Sequence, residues 1–287
     1  MTLFRHYDRK ALDAEYNNRA KVKDAMDWIA RYGAESARAR AELPMRFDVP
    51  YGRHHAERLD IFLPTTPAAA SPAPVHVFVH GGYWHRLDKA DFSFVARAFP
   101  EAATVVVNYA LVPTVDLEEL VRQVRASIAW VHANAPSFAG DPARITVSGH
   151  SAGGHLVAML MATDWSHFAA PADVVQAGCA ISGLYDLEPI RLCYLNDVLQ
   201  LSEETARRLS PLHLRQAGAA PLVLVVGADE GREYHRQTND LATAWRARGA
   251  SIEIIDAPGH NHFSIVAELE RTDTPLARTI RKQIGLA

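Results

Sequence analysis

The stretch "RITVSGHSAGGHLVAML", Arg144 to Leu160, constrains the fold more than any other part of the chain. A β-branched run enters Gly149-His150-Ser151-Ala152-Gly153 and leaves as an apolar, helix-forming segment. This is the strand–turn–helix arrangement of a nucleophile elbow, in which a serine sits on a sharp, strained turn at the carboxyl end of a strand. The flanking glycines have a steric reason, because strand and helix must approach too closely for side chains between them. Ser151 is therefore the candidate nucleophile.

The rest of the chain fits an α/β class. Val- and Ile-rich runs predict strands at Arg58 to Leu63, Val75 to Val79, Thr104 to Asn108, Ile145 to Ser148, Gln176 to Ile181, Leu222 to Val226 and Ile252 to Ile255. They alternate with predicted helices at Asp91 to Ala98, Leu117 to Asn134, His155 to Ala162 and Glu233 to Arg248, the pattern of crossovers in a mostly parallel sheet. In the second of these helices Leu117, Leu120, Val121, Val124, Ile128 and Val131 recur at spacings of three and four, leaving Glu118, Glu119, Arg122 and Arg125 for solvent. Ala11 to Arg40 reads as N-terminal helices with a break near Gly33. The Pro/Ala-rich Pro64 to Pro74 reads as an exposed loop rather than a linker, so the expected organisation is one domain over 1–287 with an N-terminal extension at about 8–40. Tyr185 to Gln216 has no clear strand and carries Pro189 and Pro211, which makes it the candidate for a small cap.

A serine hydroxyl is a weak nucleophile near neutral pH and needs a base and an acid, which in this arrangement follow in the order Ser, Asp/Glu, His. After "PLVLVVG" come Ala228, Asp229 and Glu230. Counting a G-x-x-[DE] pattern from Gly227 favours Glu230. Asp229 competes, since a one-residue shift at a strand end reverses the side chain's direction. "IEIIDAPGHNHFSIV" supplies two histidines; His262, just ahead of Phe263, is the expected base, and His260 a residue of the loop. The oxyanion formed by attack on a carbonyl needs donors fixed in advance. "HGGYW", His80 to Trp84, directly follows the strand at Val75 to Val79 and supplies them. The backbone N–H groups of Gly82 and Tyr83, with that of Ala152, form the expected oxyanion hole, and His80 is expected to brace the loop. Trp84 and Tyr185 are candidate substrate contacts.

The net charge of −3, from 30 basic and 33 acidic residues without a block of like charge, argues against a nucleic-acid partner. The charged "MTLFRHYDRK" and the lack of an apolar run near ~18 residues argue against a signal peptide and a membrane span. A soluble, cytoplasmic protein acting on a small molecule is expected; the oligomeric state stays open, a homodimer included. The two cysteines, Cys179 and Cys193, have neither disulfide-framework nor zinc spacing. His260 and His262 would share a strand face but lack a third ligand, so no metal and no cofactor is expected.

These motifs resemble the α/β-hydrolase superfamily, in the branch whose lipases and esterases carry HGGG-type motifs. "HGGYW", "YDRKALDAEYNNRA" (Tyr7 to Ala20), "GHSAGGHL", "EYHRQT" and "HFSIV" together resemble the kynurenine formamidase (arylformamidase) group. The resemblance implies hydrolysis of an N-formyl arylamine through a formyl-Ser151 intermediate, in tryptophan catabolism. In that group the acid is Asp or Glu at the position where Glu230 falls. Two departures, "DEGRE" in place of a Ser-Pro before the glutamate and His85 after the glycine motif, bear on substrate preference. A carboxylesterase for short acyl esters shares every catalytic residue and is the alternative; a ligand-binding module on the same fold would lack a member of the triad.

Overall fold

Among the described residues eight strands form one sheet in the order β1-β2-β4-β3-β5-β6-β7-β8. They are β1 (Met45–Pro50), β2 (Arg58–Phe62), β3 (Ala73–Val79), β4 (Ala103–Val107), β5 (Gly140–His150), β6 (Ala177–Ile181), β7 (Leu222–Gly227) and β8 (Ile252–Ala257). The computed structural model describes residues 2–66 and 72–286. From β4 through β8 every neighbouring pair is parallel, whereas β2 runs antiparallel to β4 and β1 antiparallel to β2. The chain steps from β3 to β4 in one direction and then crosses back past β3 to β5. The carboxyl ends of β3 and β5 therefore flank a topological switch point, where open α/β sheets bind ligands.

The helices are α1 (Arg9–Tyr16), α2 (Asn18–Lys21), α3 (Ala25–Glu42), α4 (Leu117–Asn134), α5 (Ala152–Met161), α6 (Glu188–Leu192), α7 (Asn196–Leu199), α8 (Glu203–Arg208), α9 (Arg232–Arg246) and α10 (Pro275–Ile284). Alternation along β3 divides the core. Val75, Val77 and Val79 pack with Leu120, Val124 and Ile128 of α4 and with Leu156 of α5. Phe78 faces the opposite layer with Tyr32, Phe92 and Ile280. Each such buried aliphatic side chain contributes about 1.5–3 kcal/mol, which is what fixes strand register here. Helix α4 has the expected bounds, and its N-cap Asp116 accepts from the Glu119 N–H at 2.7 Å. Among the described residues no helix is long and apolar enough to cross a membrane.

The structure differs from the sequence reading in several places. Helix α3 runs unbroken through Gly33; the N-terminal helices break instead at residues 22–24, ahead of α3, and at Asn17, whose side chain caps α2 by accepting from Ala20 N–H at 3.3 Å. A helical glycine costs about 1 kcal/mol, which the burial of Tyr32, Ser36 and Ala39 on α3 offsets. The helix expected over Asp91 to Ala98 is a pair of 3₁₀ turns, Lys89–Asp91 and Ser93–Ala98, interrupted at Phe92, whose ring is fully buried. Strand β1 and helix α10 extend the fold beyond the predicted elements. The segment Tyr185 to Gln216 folds as α6, α7, α8 and a 3₁₀ turn. Part of the loop expected over Pro64 to Pro74 lies outside the described residues.

Candidate active site

Ser151 is held at φ 58°, ψ −118°, between the end of β5 and the first residue of α5. A non-glycine residue there costs about 1–3 kcal/mol, and the surroundings enforce it. The Ser151 N–H donates to Ile181 O at 2.8 Å, and a Cβ at Gly153 would overlap the Val79 carbonyl oxygen. The elbow is thus pressed against the ends of both neighbouring strands.

His262 follows β8 and reaches back across the sheet. Its Nε2 lies 3.0 Å from Ser151 Oγ and its Nδ1 lies 2.6 Å from Glu230 Oε2. The Glu230 side chain is fully buried; Oε1 accepts the Gly227 N–H at 2.8 Å and the Ser182 hydroxyl. Asp229, by contrast, is exposed, so Glu230 is the acid that meets the histidine. Ser182, which anchors the carboxylate, has no sequence signal of its own: it simply follows β6, held at φ 51° with its N–H on Val225 O at 2.7 Å. With the imidazole donating Nδ1–H to Glu230, Nε2 is the lone-pair nitrogen facing the serine, the tautomer a general base requires.

Two other histidines frame this chain of hydrogen bonds. His150 packs its ring 4.7 Å from that of His262 and donates Nε2–H to the His262 carbonyl at 2.8 Å. Burial, then the neighbouring His262, hold its pKa well below the ordinary value, so it braces His262 as a neutral ring. His80 stacks on Tyr109 at 4.2 Å and bonds Gly81 O and Asn108 Oδ1, bracing the loop after β3. His260 pairs with Glu268 at 2.8 Å, away from His262, and the His54 and His55 rings meet at a tilt, 4.2 Å apart, between β1 and β2. His155 is buried in the core, where burial lowers its pKa to about 4. Among the described residues no group of three or more His, Cys, Asp or Glu is arranged to hold a metal ion.

The loop after β3 carries Gly82 at φ 112°, Tyr83 at φ 51° and Trp84 at φ 62°. Gly82 and Tyr83 line a cavity of about 290 Å³ together with Ser151 and His262. Ala152 opens α5, so its N–H is one of the helix's unsatisfied donors. Among the described residues none of the backbone N–H groups of Gly82, Tyr83 and Ala152 donates to another protein group.

The substrate contacts expected of Trp84 and Tyr185 are not found. Trp84 is fully buried, donates Nε1–H to His155 Nδ1 at 3.2 Å and meets that ring edge-on. Three successive positive-φ residues turn its indole into the core instead of the cavity. Tyr185 is likewise packed in the core, its ring against Gly183. The aromatic residues that do line the cavity are Tyr32, Tyr83, Phe92, Tyr194 and Phe263, with Tyr194 and Leu195 coming from the cap segment.

One contribution had no reading as a site residue in the sequence. Asn18, at the start of α2, donates to Tyr234 Oη at 2.7 Å and to Tyr83 Oη at 3.2 Å. Tyr83 Oη donates in turn to Tyr16 O at 2.6 Å, and the Tyr234 ring lies 4.7 Å from His262. The N-terminal segment therefore fixes the loop after β3 and forms part of the cavity wall.

Comparison with known proteins places the chain in a family. Residues 59–244 match the BD-FAE family. Kynurenine formamidase from Salmo salar is 30% identical, over 97% of this chain and 95% of that protein. The Danio rerio kynurenine formamidase is 32% identical over 86% of this chain and 85% of its own length. A Silicibacter crystal structure provisionally described as a thioesterase superposes with a TM-score of 0.82 at 28% identity, covering 94% of this chain and 98% of that one. The chain is a hydrolase of the α/β-hydrolase fold; it belongs to the BD-FAE family and is a homologue of the kynurenine formamidases.

Proposed function

We propose that the protein hydrolyses the formamide of an N-formyl arylamine, with N-formylkynurenine as the reference substrate. The observation that carries this reading is the Ser151–His262–Glu230 chain, at 3.0 and 2.6 Å, opening into an aromatic-lined cavity in a relative of kynurenine formamidases. Ser151 Oγ attacks the formyl carbon while His262 Nε2 takes its proton, and Glu230 holds Nδ1–H and offsets the imidazolium charge. The N–H groups of Gly82, Tyr83 and Ala152 receive the developing oxyanion, each donor being worth about 3–4 kcal/mol of barrier. His262 then protonates the arylamine nitrogen as the C–N bond breaks, leaving formyl-Ser151. Water, deprotonated by His262, attacks that ester; formate leaves and Ser151 regains its proton.

A cytoplasmic enzyme of tryptophan catabolism follows from this reading. The second reading is an esterase or thioesterase, favoured by the Silicibacter neighbour, and it uses the same residues. Steady-state kcat/KM on N-formylkynurenine and on p-nitrophenyl acetate separates the two. Preference for the formamide by orders of magnitude is expected; turnover of the ester alone would replace the formamidase reading with the esterase one.

A further inference from the structure

The mouth of the catalytic cavity has an unbalanced charge. Arg19 from α2 and Arg86 from the loop after β3 both line it, as does His85, whereas among the described residues its lining contains no Asp or Glu. Neither arginine lies within ion-pair distance of a carboxylate among the described residues, although Arg9, Arg31, Arg122, Arg236 and Arg281 all do. Arg86 instead donates Nε–H to His85 Nε2 at 2.9 Å. With Nε2 accepting, the neutral ring carries its proton on Nδ1, a buried atom that has no hydrogen-bond partner among the described residues. Burial, then Arg86, then Arg19 push the His85 pKa below its ordinary value, which places both guanidiniums close to a ring that stays neutral. Arg19 and Arg86, neither paired with a carboxylate among the described residues, and His85 thus line the same cavity as Ser151.

We infer that Arg19, Arg86 and His85 form a carboxylate subsite, which selects substrates carrying an anionic group on the aromatic portion remote from the formamide. Guanidinium forks match a carboxylate bidentately, and a partly enclosed cavity screens the pair less than open solvent does. His85, which follows the glycine motif, acquires a role here, holding Arg86 by its Nε. The subsite deepens the formamidase reading and rests on it for the ligand's identity. An α-amino-acid substrate would have its carboxylate gripped while its ammonium, with no acid on the cavity wall, stays hydrated.

The test uses binding as well as turnover, so that it does not depend on formamidase activity. Kd is measured by calorimetry for desaminokynurenine, which keeps the carboxylate and lacks the ammonium, and for its primary amide. The proteins are wild type, Arg19→Gln, Arg86→Gln, the double variant and Arg86→Lys; kcat/KM is measured on N-formylkynurenine and on uncharged formanilide. The expected result is a loss of about tenfold per arginine for the carboxylate ligand and for N-formylkynurenine, under twofold for the amide and formanilide, partial recovery in Arg86→Lys, and discrimination that shrinks with added salt. Equal Kd for acid and amide in the wild type, or equal losses on charged and uncharged ligands, would overturn the subsite whatever the activity. Acid-over-amide discrimination that depends on the arginines, in a protein inert towards both formamides, would uphold the subsite and sink the formamidase reading instead.

Discussion

Replacing Glu230 with glutamine changes one atom in the site and has a consequence that can be worked out from the hydrogen bonds. Glu230 Oε1 accepts two donors, the Gly227 N–H at 2.8 Å and the Ser182 hydroxyl, so an amide must leave its oxygen there. Its NH₂ then faces His262 Nδ1, in place of the carboxylate oxygen now at 2.6 Å. The imidazole can meet that donor only by accepting at Nδ1, which puts its proton on Nε2, the atom facing Ser151 Oγ at 3.0 Å. A base protonated on the wrong nitrogen cannot take the serine proton. The expected loss in kcat for Glu230→Gln is about 10⁴-fold, or about 5.5 kcal/mol of barrier, with the fold intact because the side chains are isosteric. Asp229→Asn, at the exposed neighbouring position, should stay within about twofold, the range of a surface change that touches no reacting group. Both variants are assayed by initial rates on N-formylkynurenine, with circular dichroism and thermal melts as controls for folding. Retention of more than a tenth of the activity by Glu230→Gln, or a collapse in Asp229→Asn, would refute the assignment of the acid.

Further outcomes are expected from the same geometry. Gly153→Ala places a Cβ against the Val79 carbonyl and 2.8 Å from His80 O, and should destabilise by more than about 4 kcal/mol. Gly33→Ala, which meets nothing within 4 Å inside α3, should stabilise by about 1 kcal/mol; melting curves that rank the pair otherwise contradict the packing. Asn18→Ala removes the donor shared by Tyr83 and Tyr234 and should cost about 1–3 kcal/mol in urea unfolding while lowering kcat more than it changes KM; unaltered kcat would mean that the network does not position the oxyanion loop. Burial holds His76 to about 3 and His155 to about 4, with His150 also well below 6.5. Folded pKa values below the unfolded one mean that the unfolded chain binds more protons in acid. Stability is therefore full above pH 6.5 and falls as the pH drops from there towards 4, by up to about 1.4 kcal/mol per unit for each histidine; urea unfolding that gives equal free energies at pH 7 and 5 would contradict their neutral burial.

The parts of the molecule that were legible in the sequence are those specified locally. The elbow at Ser151 is a strand, a turn and a helix in consecutive residues, and α4 announces itself by its spacing from Leu117 to Val131 and its Asp116 cap. Position relative to strand ends brought Glu230 and His262 to the serine. What escaped was set by tertiary contact. Strand β1 is an edge strand with mostly exposed side chains, so it lacks the apolar alternation that marks a strand. Gly33 looked like a helix break, since glycine's cost in a helix is local and the packing that outweighs it is not. Trp84 sits beside the glycine motif, yet its direction depends on positive φ values that no composition encodes. Asn18 and Ser182 act across the chain, Asn18 on residues 65 and 216 positions away and Ser182 on a carboxylate 48 positions away. No pattern in sequence records such distances.

In the proposed reaction Ser151 carries the formyl group from an arylamine to water. The most direct measurement is rapid-quench intact-mass analysis during turnover of N-formylkynurenine, in wild type and in Ser151→Ala, with release of kynurenine followed in parallel. A species one formyl group heavier that maps to Ser151 is expected in the wild type, and neither adduct nor kynurenine release in the variant. Kynurenine release by Ser151→Ala at the wild-type rate, or a formyl adduct on another residue, would contradict it.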